Sequence, residues 1–160
     1  MNKLAILAFV SIAMVSGLAN GAEWGQYGNA RFGYWIDIPP RFSAITEADN
    51  GDGGISQSSD GSAELRVWGR HLVLADDFQA EATRGIDKDV ESGWNITYQK
   101  QQSDWVSWSG TKDGRTFYQR AIPACNNAIA FFRLEYEDNQ KEAFHPVVER
   151  LAASLRRQCG

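Results

Sequence analysis

Two Asp-Gly pairs, Asp60-Gly61 and Asp113-Gly114, lie between strand-like segments and constrain the fold more than any other feature of the sequence. An Asp-Gly pair supplies the positive backbone angles that a tight β-hairpin requires. The segments that flank the two pairs are 55–59, 63–68, 105–111 and 115–121. Because a hairpin joins neighbouring antiparallel strands, the sequence predicts a largely antiparallel sheet.

Three further segments are rich in aromatic and β-branched residues and predict strands: 32–38, 95–101 and 128–136. Pro39-Pro40 ends the first of these segments. Residues 47–54 are turn-forming residues with almost no apolar content, so they predict a loop.

Two segments with helical periodicity complete the pattern. The first begins at a cap formed by Asp76 or Asp77 and ends at Gly93; its apolar side carries Phe78, Ala82, Ile86 and Val90. The second runs from about residue 143 to 157 with Pro146 in its first turn, and its apolar stripe carries Phe144, Val147, Val148, Leu151 and Leu155. The order of elements predicts one α+β domain over residues 23–160, with two main helices packed on a mostly antiparallel sheet.

Residues 1–22 have the layout of a secretory signal peptide. Lys3 gives a basic start, an uncharged apolar run follows over residues 4–19, and small residues surround the expected cleavage site. The run is shorter than the roughly 20 residues that span a bilayer, which favours cleavage over a retained anchor. No later apolar stretch approaches that length. We therefore expect a mature protein that is periplasmic or secreted and has no membrane span.

The only cysteines, Cys125 and Cys159, both lie in the predicted mature domain. An even count in an exported chain favours a disulfide, and two cysteines allow one intramolecular pairing. Such a bond would tie the C-terminal end to the body of the domain. The alternative is a pair of free thiols, and the spacing excludes a catalytic Cys-x-x-Cys site.

Composition and motifs argue against several classes of function. The formal net charge of −4 and the lack of a basic patch do not suit a nucleic-acid-binding protein. The phosphate-binding loops GxGxxG and GxxxxGK(S/T) and the nucleophile elbow GxSxG are absent from the sequence. Ser109 and Lys112 match SxxK in letters, but they lie in a predicted strand and turn. The two histidines, His71 and His145, belong to no metal-binding motif, so we expect structural roles for them and neither a metal nor a cofactor.

The acidic loop contains Asp49 and Asp52, with Asp60 nearby in the sequence, and it invites comparison with a calcium-binding loop. Counted from Asp49, positions 3 and 5 are glycines, whereas an EF-hand needs side-chain ligands there. We expect a mobile turn, with a weak cation site as the alternative. Five other acidic residues, on the first helix and the last strand, are expected on solvated faces: Asp87, Asp89, Glu91, Glu135 and Glu137.

All six tryptophans lie in the predicted mature domain. Trp35 and Trp68 lie within predicted strands and are expected in the core. Trp105 and Trp108 are an odd number of residues apart, so they point to opposite faces of a regular strand. One of them should therefore be core and the other partly exposed, where it could stack on a sugar ring or anchor a protein contact.

Segments 29–40, 63–69 and 144–155 resemble a group of uncharacterised small exported proteobacterial proteins, which implies export and names no activity. The aromatic-Gly-aromatic pattern of Phe32-Gly33-Tyr34 and the final helix ending in Ser154-Leu155 are similar to PsbP-like α/β/α sandwich proteins. Those proteins are mostly accessory or binding subunits, and none of their functional residues maps onto a position here.

We therefore expect an exported, non-enzymatic domain that binds a periplasmic protein or a small ligand. The first alternative is a cell-wall glycan binder, or an inhibitor of a glycan-cleaving enzyme, that uses Trp105 or Trp108 together with Asp49 and Asp52. The second alternative is a hydrolase whose catalytic groups meet only in the fold. It requires two acids, or an acid and a histidine, that converge in a pocket.

Overall fold

Hairpin pairing organises most of the chain into a large antiparallel sheet. The computed structural model describes residues 23–72 and 77–160, so the predicted signal peptide and the alternative cap Asp76 lie outside the described residues. The strands are β1 Gly25–Asn29, β2 Tyr34–Ile38, β3 Thr46–Glu47, β4 Gly53–Gln57, β5 Ala63–His71, β6 Asn95–Gln101, β7 Val106–Lys112, β8 Arg115–Pro123, β9 Ala128–Glu137 and β10 Arg156–Arg157. The helices are α1 Phe78–Glu91 and α2 Lys141–Ser154.

Seven strands form the large sheet in the order β3-β4-β5-β9-β8-β7-β6, and every neighbouring pair is antiparallel. Both predicted Asp-Gly hairpins form, with positive φ angles of 72° at Gly61 and 77° at Gly114. The predicted fold class, an α+β domain with two helices on a mostly antiparallel sheet, is confirmed. The predicted loop over residues 47–54 is shorter than expected, because Glu47 and Gly53 already pair within strands.

A second, small sheet consists of β1, β2 and β10. Strand β1 was not predicted, since its two glycines and polar residues carry no strand signal. Gly28 is needed there, because a Cβ at this position would lie 2.6 Å from the indole of Trp35. Trp35 and Trp68, which were expected in the core, are only partly buried, although Trp68 packs against the core on the side of α1.

The two helices differ in detail from the prediction. Asp77 caps α1, where its Oδ1 accepts a hydrogen bond from Ala80 N at 2.7 Å, but Val90 is 55% exposed and does not belong to the buried side. Helix α2 begins earlier than predicted, after a short 3₁₀ turn, so Pro146 lies in its second turn. It also ends earlier, because β10 pairs with β2. Within the described ranges, no helix is both long and apolar enough to cross a bilayer.

Alternation along the central strand β9 divides the core into two layers. On one face, Phe132 and Leu134 pack among the small sheet and α2. On the other face, Ile129 and Phe131 pack against α1. The apolar residues of this second face stop at Phe131, and Arg133 comes next on the same side of the strand.

The cysteines form the disulfide that the sequence favoured, with a Cα–Cα distance of 5.6 Å between Cys125 and Cys159. Gly33 packs directly on the bond: its φ is +65°, and a Cβ there would lie 2.5 Å from the Sγ of Cys125. The backbone N–H of Gln158 also donates to the carbonyl of Gly33 at 2.9 Å. The disulfide therefore holds the C-terminal end against the start of β2.

Candidate functional site

The larger of two candidate sites is a cleft between α2 and the sheet face formed by β6, β7, β8 and β9. Its volume is about 790 Å³, within the usual range of small-ligand sites. The strands contribute Thr97, Tyr98, Ser109, Thr116, Tyr118 and Tyr136, and α2 contributes Lys141, Glu142, His145, Val148, Glu149 and Ala152. We call it the tyrosine cleft.

Stacked aromatic rings line the tyrosine cleft. Tyr98 stacks on Tyr118 with ring centroids 6.3 Å apart, and Tyr118 stacks on Phe132 at 5.9 Å. Phe132 is fully buried, whereas Tyr98 is 42% exposed, so the row of rings leads from the core to an open aromatic surface. Burial raises the pKa of the Tyr98 phenol, and Tyr118 beside it raises that pKa further. The hydroxyl therefore stays protonated at neutral pH and can donate a hydrogen bond.

Charged side chains of α2 form the opposite wall of the tyrosine cleft. His145 Nε2 lies 3.5 Å from Glu149 Oε1, and their side chains are 73% and 69% exposed. Lys141 Nζ donates to Asp138 Oδ1 at 2.6 Å. The pair of an acid and a histidine that a hydrolase would need is thus present in a pocket. Water surrounds both groups, however, and screens their interaction.

Trp105 lies beside the tyrosine cleft and is partly buried. The Arg120 guanidinium stands 4.1 Å from the centroid of its ring, and Arg120 Nη1 donates to Ser107 Oγ at 3.2 Å. Trp105 and Arg120 line a hollow of about 380 Å³ that shares Ala152 with the tyrosine cleft. The two spaces therefore adjoin along α2.

Trp108 is fully buried at 0% exposure, while Trp105 keeps some accessible surface. The prediction that one of the pair is core and the other partly exposed is confirmed. The Trp108 ring has no surface on which a ligand could stack.

The acidic loop is remote from Trp105. Asp49 and Asp52 lie in the connection between β3 and β4, at the opposite edge of the large sheet from β6. Two buried side chains anchor the loop: Asn29 Nδ2 donates to the carbonyl of Gly51 at 3.0 Å, and the Tyr34 hydroxyl donates to the carbonyl of Asp52 at 3.0 Å. The structure thus separates the two groups of residues that the predicted glycan site combined, and it ties down a turn expected to be mobile.

The residues considered for other chemistry occupy structural positions. The Ser109 hydroxyl donates to the carbonyl of Phe117, and Lys112 Nζ donates to the carbonyl of Ser92 at 2.7 Å. His71 is exposed and packs edge-on against Phe32. Among residues 23–72 and 77–160, no three or more His, Cys, Asp or Glu side chains are grouped closely enough to hold a metal ion.

The second candidate site, on the other face of the sheet, was not predicted from the sequence. It is a cleft of about 480 Å³ beside α1. Its lining consists of Arg66, Trp68, Arg70, Gly85, Lys88, Asp89, Trp94, Gln119, Phe131, Arg133 and Glu135. We call it the arginine cleft.

The prediction that Asp89 is solvated was wrong, and Glu135, predicted on a solvated face, is only partly exposed. Arg133 Nη1 donates to Asp89 Oδ1 at 2.9 Å and to Gln119 Oε1 at 3.0 Å, and the side chains of Arg133 and Asp89 are only 13% and 15% exposed. Glu135 accepts from Arg115 Nε at 2.9 Å. One signal was present in the sequence, since β9 changes from apolar to charged residues on this face at Arg133.

Comparisons with known proteins concern the fold. No family model matches the sequence, and no curated protein matches it. The solution structure of cyanobacterial PsbP (CyanoP) from Synechocystis sp. PCC 6803 is similar with a TM-score of 0.62 and 10% identity, over 88% of this chain and 96% of that one. The Saccharomyces cerevisiae Ran-binding protein Mog1p is similar with a TM-score of 0.63 and 8% identity, over 85% and 96% of the two chains. The chain therefore has a PsbP-like fold, which Mog1 shares.

Proposed function

We propose that the protein is an exported, non-enzymatic binding domain whose ligand occupies the tyrosine cleft. One observation carries the proposal: the stack of Phe132, Tyr118 and Tyr98 ends in an open ring inside a cleft of about 790 Å³. An aromatic face that is supported from behind and open in front is a surface on which a flat ligand face can stack. The partly buried Tyr118 and the fully buried Phe132 behind it fix its position before a ligand arrives.

The lining of the cleft favours a hydroxyl-rich ligand such as a cell-wall glycan. Glu142 and Glu149 provide carboxylate oxygens that accept hydrogen bonds from sugar hydroxyls, and the Tyr98 phenol donates one. In the adjoining hollow, Trp105 and the Arg120 guanidinium over its ring can contact a ligand longer than one sugar unit. Asp49 and Asp52 have no part in this site, since they lie at the other edge of the sheet.

Export is supported by two features of the chain. Residues 1–22 have the composition of a signal peptide, and the disulfide between Cys125 and Cys159 suits an oxidising compartment.

A binding role also fits the solved structure of Mog1p, which is described as a Ran-binding protein. A periplasmic protein partner is the corresponding alternative occupant of the cleft.

A titration with a soluble glycan tests the proposal. The mature protein is titrated with chitotetraose and with cellotetraose in a calorimeter. We expect saturable binding that Tyr98→Ala weakens about tenfold or more and that Tyr98→Phe largely preserves. The control is Ile55→Ala, which removes an apolar side chain of similar exposure, 39%, at the opposite edge of the sheet. Heat signals without saturation, or equal affinities for wild type and Tyr98→Ala, would contradict a glycan site in this cleft.

The hydrolase alternative rests on the pair of His145 and Glu149 in the same cleft. It is tested by incubating the protein with the same oligosaccharides and measuring new reducing ends. We expect none above the level of a His145→Ala, Glu149→Ala double variant. A rate that the double variant abolishes would replace the binding role with a catalytic one.

A further inference from the structure

We propose that the arginine cleft is a second binding site, for a small organic anion that carries a carboxylate or phosphate group on a planar or apolar body. This inference is independent of the tyrosine cleft, which lies on the other face of the sheet. It rests on the charge, the available donors and the floor of the arginine cleft.

The arginine cleft is basic although the chain as a whole is acidic, with a formal net charge of −4. Four basic side chains line it, Arg66, Arg70, Lys88 and Arg133, against two acidic ones, Asp89 and Glu135. The lining therefore has an excess of two positive charges, and the charged residues that pair with it from outside the lining do not change this number. Glu64 and Glu81 add two negative charges, and Arg84 and Arg115 add two positive charges. The local excess of two positive charges attracts an anion.

Three of the basic groups have donors to spare. The Lys88 ammonium makes no hydrogen bond or ion pair with any residue in the described part of the chain. Arg66 is 56% exposed, and its ion pair with Glu64, two residues away on the same strand, is weak and exchangeable. Arg70 pairs with Glu81, yet its Nε is buried without a hydrogen-bond partner among the described residues. A bound anion can accept hydrogen bonds from the exposed donors of Lys88 and Arg66.

The floor of the cleft is aromatic and fixed. Trp68 stacks on Phe131 with ring centroids 4.9 Å apart and an interplanar angle of 12°. The Arg133 guanidinium lies 3.7 Å from the centroid of the Phe117 ring and pairs with Asp89. It cannot turn toward a ligand without breaking this ion pair. Arg133 therefore adds to the positive electrostatic potential of the cleft but does not donate a hydrogen bond to the ligand. The partly exposed face of Trp68 therefore offers a place for the body of the ligand, with the cationic groups at its rim.

Gly85 lines the cleft on the side of α1 and packs against the buried Trp108. A glycine in the middle of a helix is less favourable than an alanine. Its Cβ would lie 3.2 Å from the Trp108 ring, so the position favours the smallest residue.

The test uses benzoate and phenyl phosphate as probes, with benzyl alcohol as a neutral probe of the same body. Binding to the mature protein is followed through the fluorescence of its tryptophans and by calorimetry. We expect saturable binding of both anions and none of benzyl alcohol. We also expect about 0.5 M NaCl to weaken the binding, because screening acts on exposed charges.

Two variants identify the site. Lys88→Gln should raise the dissociation constant of benzoate about tenfold, and Arg66→Gln combined with it should raise the constant further. Lys141→Gln removes the same charge from the tyrosine cleft and should leave benzoate binding unchanged. Lys88 is exposed and unpaired in the described part of the chain, so Lys88→Gln should keep the wild-type Tm. If the double variant loses stability, the affinity of Lys88→Gln for benzoate alone tests the position of the site.

Three results would overturn the proposal. They are the absence of saturable anion binding to the wild type, equally tight binding of benzyl alcohol, and a dissociation constant that Lys88→Gln leaves unchanged. None of them bears on glycan binding at Tyr98, so the two proposals can fail separately.

Discussion

The indole Nε1 of Trp108 donates a hydrogen bond of 2.7 Å to Oδ2 of Asp89 and thereby joins β7 to α1. The other oxygen of this carboxylate accepts from Arg133 on β9 at 2.9 Å. One side chain of α1 thus satisfies the only polar side-chain atom of a fully buried tryptophan and the charge of a nearly buried arginine. Asp89 therefore fixes the position of the helix over the sheet and forms part of the wall of the arginine cleft.

Replacing Asp89 should cost much of the stability of the protein. Asp89→Ala leaves the Trp108 N–H and the Arg133 guanidinium without this acceptor in a buried place, and we expect a loss of about 3 kcal/mol. Asp89→Asn keeps an oxygen for Trp108 and should cost less. Urea unfolding of the three proteins measures the difference. Equal midpoints for wild type and Asp89→Ala would contradict this role for the carboxylate.

The disulfide should contribute about 3–4 kcal/mol, because it restricts an unfolded chain over a sequence separation of 34 residues. Replacing Cys125 and Cys159 together by serine should lower the free energy of unfolding by that amount. The reductant dithiothreitol should lower the Tm of the wild type and leave the Tm of the double variant unchanged. A wild-type Tm that does not respond to complete reduction, verified by thiol titration, would refute the prediction.

Two glycines with similar backbone angles should respond differently to alanine. Gly61 has a φ of +72°, and a Cβ there would have no neighbour within 4 Å, so Gly61→Ala should cost only the backbone strain of about 1 kcal/mol. Gly33 has a φ of +65°, and its Cβ would also collide with Cys125 Sγ at 2.5 Å. Gly33→Ala should therefore be the more destabilising by about 1 kcal/mol or more, on the order of a small overpacking cost. Thermal unfolding of both variants shows which of them is the less stable. A lower Tm for Gly61→Ala than for Gly33→Ala would show that the structure around the disulfide can shift to accommodate the added Cβ.

Asp60 in the first hairpin turn should make stability depend on pH. Its Oδ1 accepts from the Ser58 hydroxyl at 2.7 Å and from the backbone N–H of Ser62 at 3.0 Å. These hydrogen bonds, that of Ser58 foremost, lower the pKa of Asp60 from 3.8 to about 2. Because the folded pKa lies below the unfolded one, the stabilisation is complete above about pH 4 and is lost as the pH falls toward 2.

The variant Asp60→Asn has no charge to titrate, so its difference in Tm from the wild type should be present at about pH 6 and should shrink between about pH 4 and pH 2. An NMR titration of the Asp60 carboxyl carbon gives the pKa directly. A titration midpoint near 3.8 would show that the hydrogen bonds of the turn do not stabilise the Asp60 carboxylate in solution.

The elements with local signals could be predicted from the sequence. Strand β6, Asn95–Gln101, matches its predicted limits, and Asp77 caps α1 as its position before Phe78 indicates. These features depend on residues close together in the chain. Strand β1 could not be predicted in the same way, because it exists only through its pairing with β2 and the packing of Trp35 on Gly28.

The candidate sites depend on partners that are distant in the sequence. The odd spacing of Trp105 and Trp108 predicts opposite faces, but not which of the two is buried, because that depends on where α1 lies. Asp89 looks like one of several acids on an exposed helix until Arg133, 44 residues later, is placed beside it by the sheet. The stack of Tyr98 on Tyr118 likewise arises from strands that come together through β7.

The most direct test of the central claim, that the tyrosine cleft holds the ligand, is an NMR titration of the ¹⁵N-labelled mature protein with chitotetraose. The backbone amides of Thr97 and Tyr98 and the indole of Trp105 should shift in a saturable manner, while the indoles of Trp68 and Trp94 in the arginine cleft should not move. Shifts confined to Trp68 and Trp94, or no saturable shift at all, would contradict this claim.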